Sequence, residues 1–204
     1  MIRIHRVVRR TCAEGPGVRF CIWTQGCAHQ CPGCFARDTW DPQDGEAWNA
    51  DEVIAAIRQE AAHIEGITLL GGEPFDQAAE MAEVAEAARR MGLSVMAFTG
   101  YTHEQLRQRA DAARLLAACD LLADGPYIEA LRSFSRPWVG SSNQRFVFLT
   151  DRYDESILAC GNRMELRVGR DGALLLNGMG ELDKLQKILC SGLAAGERGH
   201  RDSI

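Results

Sequence analysis

The 204-residue chain predicts an α/β fold: a mostly parallel sheet of five to six strands whose connections are helices, followed by a C-terminal hairpin and helix. Three observations predict it. Short apolar runs alternate with helix-length amphipathic stretches, which calls for parallel pairing through right-handed crossovers. Segments rich in glycine, cysteine or acid follow the strands directly, at the ends where ligands gather in such sheets. An apolar content of 46%, without repeats or a low-complexity linker, supports one core. Five or six strand–helix units are too few to close an eight-stranded barrel, so an open one is expected.

The first strand is expected over 18–24, with a cysteine-rich loop after it. Asn49 as cap and Glu52 three residues later open a helix over 49–64, with Val53, Ile57, Ala61 and Ile64 on one face. Residues 66–70 form the next strand. An Ala-rich helix over 75–91 ends at Gly92. Residues 93–98 give a third strand, and Thr102 with Gln105 makes a capping box for another helix. Strands at 120–123 and 145–150 continue the series. Residues 164–168 and 173–176 pair across Gly169-Arg170-Asp171-Gly172, a turn with the Asp-Gly hairpin signal. Leu182, Leu185, Ile188 and Leu189 have helical spacing over 181–193, as a packing element or a docking surface. One domain is expected over 1–195, with its core at 14–150 and an extension at 151–195; a disordered tail is expected at 196–204.

The chain carries 23 basic and 28 acidic side chains, a net charge of -5, which offers no broad attraction for nucleic acid. No apolar run reaches membrane-spanning length. The N-terminus lacks a continuous apolar signal segment, so a reducing, cytoplasmic setting is expected, where the eight cysteines serve metals or cores. Cys21 and Cys119 lie in or beside apolar runs and are expected in the core. Cys12, Cys160 and Cys190 are scattered and make no second metal-binding series.

Cys27, Cys31 and Cys34 are different. They stand in Cys-Ala-His-Gln-Cys-Pro-Gly-Cys, a C-x3-C-x2-C spacing that puts three thiols on one short loop. A cubane iron-sulfur cluster normally takes four cysteines, so three suggest one iron left open to another ligand. A zinc loop using His29 is the alternative, although no second C-x2-C pair follows. Residues 66–75 read Gly-Ile-Thr-Leu-Leu-Gly-Gly-Glu-Pro-Phe, a strand ending in Gly71 and Gly72 with Glu73 beside them. Paired glycines let a ligand approach the backbone. Exposed N–H and C=O groups could then hold an amino acid's ends, with the Glu73 carboxylate beside the ammonium. An ordinary strand-to-helix turn is the alternative.

The cysteine loop, followed about forty residues later by Gly71-Gly72-Glu73-Pro74, resembles the radical S-adenosylmethionine superfamily. Further segments resemble the activating enzymes of glycyl-radical proteins, above all the anaerobic (class III) ribonucleotide reductase activating enzymes. These are Glu14-Gly15-Pro16-Gly17-Val18-Arg19, Cys31-Pro32-Gly33-Cys34-Phe35, Phe98-Thr99-Gly100-Tyr101, Leu122-Ala123-Asp124-Gly125-Pro126-Tyr127 and Trp138-Val139-Gly140-Ser141-Ser142-Asn143-Gln144. The matches run over 14–145, about two-thirds of the chain.

The resemblance implies a partial, open (β/α) barrel and one [4Fe-4S] cluster on Cys27, Cys31 and Cys34. It also implies S-adenosylmethionine bound by Gly33, Cys34, Phe35 and Gly72, with Gly71 and Glu73 completing the strand end. Asp124 falls at an acidic position near the cofactor. Ser141, Ser142, Asn143 and Gln144 match a motif for which the sequence gives no chemical role. Reductive cleavage of S-adenosylmethionine would yield a 5′-deoxyadenosyl radical that takes a glycine hydrogen from a partner, expected to be anaerobic ribonucleotide reductase. A flavodoxin- or ferredoxin-type protein would donate the electron. A radical enzyme acting on a small molecule or peptide, and a non-catalytic metal module, are the competing expectations; the Gly-Gly-Glu-Pro strand end argues against the module.

Overall fold

The computed structural model describes residues 1–180; the helix expected over 181–193, the tail at 196–204 and Cys190 lie outside the described residues. In chain order the elements are β1 (Ile2–Thr11), β2 (Arg19–Thr24), β3 (Glu46–Trp48), α1 (Ala50–Glu60), β4 (Gly66–Gly71), α2 (Ala78–Arg90), β5 (Ser94–Phe98), α3 (His103–Gln108), α4 (Ala113–Ala118), β6 (Leu121–Asp124), β7 (Arg145–Phe148), β8 (Met164–Val168) and β9 (Leu174–Gly178).

Seven strands form one sheet in the order β3-β1-β2-β4-β5-β6-β7, and β8 and β9 pair separately as the expected hairpin. The central pairs β2–β4, β4–β5 and β5–β6 are parallel. Arg19 stands opposite Gly66 and Thr24 opposite Gly71, so the strand preceding the cysteine loop and the strand carrying the paired glycines end side by side.

Two features depart from the sequence expectation. The strand at 145–148 is antiparallel to β6, because the chain returns from β6 through one short 3-10 turn (Glu129–Leu131) and has no crossover helix. β1 and β3 add an antiparallel edge that the apolar pattern conceals. β1 shifts register between Ile4 and Arg6 and again between Val8 and Thr11, which breaks the alternation that marks a strand.

The helix starts follow their caps. Asn49 accepts from Glu52 N at 2.8 Å while Glu52 accepts from Asn49 N at 2.8 Å, and Thr102 and Gln105 repeat the arrangement at α3. Phe20, Ile22, Ile67, Leu69, Val95, Ala97 and Leu122 bury the outer sheet face with Val53, Ile57, Met81 and Ala85 of α1 and α2. The inner face carries Val8, Cys21, Trp23 and Leu70, and beside them Met96, Leu121 and Ala123 with Trp138 and Val139. Leu175 of β9 packs on the first of these groups. Cys21 and Cys119 are buried core thiols, as expected, and burial pushes the Cys119 thiol up to about 12. Buried Arg19 ties the foot of the sheet together by donating to Thr68 Oγ1, Ser94 Oγ and the Ile67 carbonyl. Among the described residues no helix is long and apolar enough to cross a membrane.

Candidate functional site

The loop after β2 is clamped at its base. Gln25 Nε2 donates to the Asp38 and Asp41 carbonyls, Gly26 N to Thr39 O and Cys27 N to Trp40 O. This closure directs Cys27, Cys31 and Cys34 into a cavity of about 400 Å³, within the range of small-molecule sites. The same cavity is lined by Gly71, Gly72, Glu73, Thr99, Gly100 and Gly125, so the ends of β4, β5 and β6 meet the cysteine loop. Phe35 lines the cavity and is 50% exposed, its edge on Phe134 and the Arg132 guanidinium over its face. Gly33 turns the loop with φ +74°, a left-handed conformation suited to glycine, and a side chain there would strike the Glu129 carboxylate.

The three thiols are free, and burial raises Cys27 to about 11 against the pull of the His29 and Gln30 N–H groups. Burial also raises Cys31. Metal binding here must therefore displace protons, because a thiolate is the ligand. Among the described residues no three His, Cys, Asp or Glu side chains gather as ligands of a single ion do. A cubane takes each thiolate on a separate iron and asks for a wider set. Three free thiols of one loop facing a shared cavity suit that donor requirement.

The paired glycines are packed more closely than the sequence suggests. A Cβ on Gly72 would lie 2.3 Å from Gly26 O and 3.0 Å from Thr24 O. The Gly72 N–H donates to Thr24 O and the Glu73 N–H to Gly26 O, both at 2.8 Å. These N–H groups are committed to the cysteine loop, contrary to the expectation that they are free for a ligand. Acceptor carbonyls are what this strand end can offer an ammonium.

Glu73 is also committed. Its carboxylate, only 1% exposed, accepts from Phe75 N, Thr99 Oγ1 and Gly100 N at 3.0, 2.9 and 2.8 Å. His29 Nε2 stands 3.4 Å from Glu73 Oε2, an electrostatic contact that raises the His29 pKa. The His29 ring meets the Tyr101 edge 4.4 Å away. Glu73 thus joins the ends of β4 and β5 and faces the cysteine loop through His29.

Asp124, expected near a cofactor, ends β6 directly before the cavity-lining Gly125. It accepts from Arg145 Nε at 2.9 Å, from Arg145 Nη2 at 2.5 Å and from His103 N at 2.7 Å, and it does not line the cavity; Gly125 does. The antiparallel return of β7 brings Arg145 opposite Asp124, which the parallel expectation could not place. The bidentate pair ties the Asp124 carboxylate to β7.

Ser141 to Gln144, silent in the sequence, form a turn that locks the 125–145 connection. Gln144 Oε1 accepts from Gly140 N and Ser141 N, Asn143 Nδ2 donates to Pro126 O and Ser141 Oγ accepts from Ile128 N. Gln144 itself reaches the cavity.

Sequence reasoning missed the opposite wall, formed by His5, Arg6, Glu14 and Trp23 with Met164, Leu176, Asn177 and Gly178 of the hairpin. Glu14, inside the Glu-Gly-Pro-Gly segment, was the only signal. It is 5% exposed, and burial pushes its carboxyl up to about 7 against the Gly178 N–H bond and the Arg6 charge, with Glu165 adding to the rise. A raised folded-state pKa favours the neutral form. The associated stability is therefore present below the ordinary carboxylate range and lost as pH rises through about 7. Glu14→Gln is expected to remove this loss, up to about 3 kcal/mol, so the variant should gain on the wild type in denaturant midpoint between about pH 5 and about pH 8. Parallel pH profiles for the two proteins would contradict the assignment.

The chain is similar to known proteins. The model of the family described as "4Fe-4S single cluster domain" matches residues 13–147. The anaerobic ribonucleoside-triphosphate reductase-activating protein of Enterobacteria phage T4 is 32% identical over 143 residues, covering 68% of this chain and 88% of that protein. The proteins of the same name from Salmonella typhi and Escherichia coli (strain K12) are 28% and 29% identical, covering 96% and 88% of their lengths and 70% and 64% of this chain. Among solved structures, the crystal structure of QueE from Escherichia coli is similar over 50% of this chain and 53% of its own, with a TM-score of 0.43 and 20% identity. The chain belongs to the 4Fe-4S single cluster domain family and, within the radical S-adenosylmethionine superfamily, to the family of the anaerobic ribonucleoside-triphosphate reductase-activating proteins.

Proposed function

We propose that this protein activates an anaerobic ribonucleoside-triphosphate reductase by taking a hydrogen atom from a glycine of that partner, with Cys27, Cys31 and Cys34 as the protein ligands of its [4Fe-4S] cluster. One observation carries the reading: three free thiols of a single clamped loop share a cavity with the glycine-bearing ends of the parallel strands. When bound, the cluster and S-adenosylmethionine supply a 5′-deoxyadenosyl radical, and the protein supplies position and shelter.

Cys34 and Phe35 stand at the same cavity as the strand ends, and Gly33 sets the turn between them and Cys31. The carbonyls of Gly71 and Gly72 are the acceptors for the methionyl ammonium. Glu73 acts by holding Thr99, Gly100 and Phe75 in place, with His29 against it. Asp124 contributes through Arg145 and the start of α3.

We read the sheet, flanked by helices on one face, as the wall of an open partial barrel within one domain; the part of that domain expected over 181–195 lies outside the described residues. The barrel's open side is where a partner's backbone loop would enter. A flavodoxin- or ferredoxin-type donor would deliver the electron.

The test is electron paramagnetic resonance. Reduced, cluster-loaded protein with S-adenosylmethionine should generate a glycyl radical on the reductase of the same organism. Deoxyadenosine formation without any radical on the reductase would favour a small-molecule or peptide substrate instead.

A further inference from the structure

The hairpin wall of the cavity holds polar atoms without a hydrogen-bond partner among the described residues. Asn177 is 2% exposed, lines the cavity, and among the described residues has no hydrogen-bond partner for either Oδ1 or Nδ2. Arg6 lines the same cavity with its guanidinium 4.3 Å from the centre of the Trp23 ring, and its buried Nε is likewise unpaired. Beside them Glu14 Oε1 accepts from Gly178 N at 2.7 Å. Each buried polar group left without a partner costs about 1–3 kcal/mol, so a wall with three such atoms calls for an occupant.

The pattern of donors and acceptors describes that occupant. Asn177 Nδ2 and Arg6 Nε donate, and Asn177 Oδ1 accepts. A carboxylate or phosphate would use the donors and leave Oδ1 unpaired. A peptide group presents C=O and N–H together and answers both ends of the carboxamide, and a neighbouring carbonyl can take the Arg6 N–H.

The wall shares the cavity of the cysteine loop, but its hairpin part lies outside the segment that the family model matches. The family model ends at residue 147, whereas Asn177 stands on β9, beyond the residues that carry the shared chemistry. The hairpin is fixed in place: Cys12 N donates to Glu165 Oε1 at 2.8 Å, Gly178 N bonds Glu14, and Leu175 packs on Val8, Cys21, Trp23 and Leu70.

We propose that Asn177 is a substrate-positioning residue that hydrogen-bonds a backbone peptide group of the partner loop carrying the reactive glycine, with Arg6 Nε binding an adjacent carbonyl. This rests on the activase reading above.

The test compares wild-type, Asn177→Asp and Asn177→Ala proteins, each cluster-loaded, with the reductase of the same organism. Titration calorimetry gives Kd, and radical yield against reductase concentration gives the half-saturating concentration. Asn177→Asp keeps the shape and loses the donor. Asn177→Asp should bind about tenfold more weakly, the cost of one hydrogen bond, and Asn177→Ala, which loses both, more weakly still, with half-saturation rising in step and the yield at saturation retained. A purely structural role would lower thermal stability without that split. Unchanged Kd in both variants would overturn the proposal. So would a loss of S-adenosylmethionine affinity with reductase Kd unchanged, which would assign Asn177 to the cofactor. If the wild type produces no radical while the variants still bind the reductase more weakly, Asn177 keeps its role and the activase reading fails.

Discussion

Replacing Cys27, Cys31 or Cys34 by alanine is expected to abolish the iron-dependent visible absorption of the anaerobically reconstituted protein and its cleavage of S-adenosylmethionine. Removing a group that merely supports a metal ligand already costs about 10- to 100-fold in affinity or activity, so removing a ligand should exceed a hundredfold. The fold should survive, because these three side chains are only partly buried while the loop is held by Gln25, Gly26 and the Cys27 backbone. Cys21→Ala and Cys119→Ala are the contrasting controls: both thiols are buried in the apolar core, so their loss should lower stability and leave iron content intact. Zinc in the wild-type protein, with activity retained in the loop variants, would contradict the ligand assignment.

Gly72→Ala should have the second-largest effect, for a reason that the sequence alone misplaces. From the motif, a side chain at this position should block a bound amino acid and spare the cluster. The geometry gives a different result, since the new Cβ would lie 2.3 Å from Gly26 O, one residue before Cys27. Backbone would have to yield, at about 1–3 kcal/mol, and the cysteine loop would move with it. Iron per chain, thermal stability and S-adenosylmethionine cleavage should therefore fall together. Full iron content with cofactor affinity lost would show that Gly72 serves the ligand alone.

The contrast shows what this sequence reveals and what it withholds. Local signals were legible: the Asn49–Glu52 and Thr102–Gln105 capping boxes, the apolar runs of β2, β4 and β5, and the Asp-Gly hairpin turn all stand where the pattern put them. The cysteine spacing and the paired glycines were legible because each is compact in sequence. Pairings set by distant partners were not. β1 is disguised by its register shifts, and β7 runs antiparallel because its connection lacks a helix, a property of the whole segment.

The same limit applied to the site. The sequence shows Asp124 at a strand end but not Arg145, which the antiparallel β7 brings opposite it. Glu73 looked free until β5 supplied Thr99 and Gly100. Asn177 gives no sequence signal at all, because its meaning depends on lying buried, without a partner among the described residues, on a cavity wall it shares with His5 and Arg6 of β1.

The most direct measurement of the central claim is deoxyadenosine formation by anaerobically reconstituted protein given S-adenosylmethionine and a strong reductant. 5′-Deoxyadenosine should accumulate with the wild-type protein and stay at background with Cys27→Ala, Cys31→Ala and Cys34→Ala. A wild-type protein carrying its full complement of iron and sulfide that forms none would contradict the account.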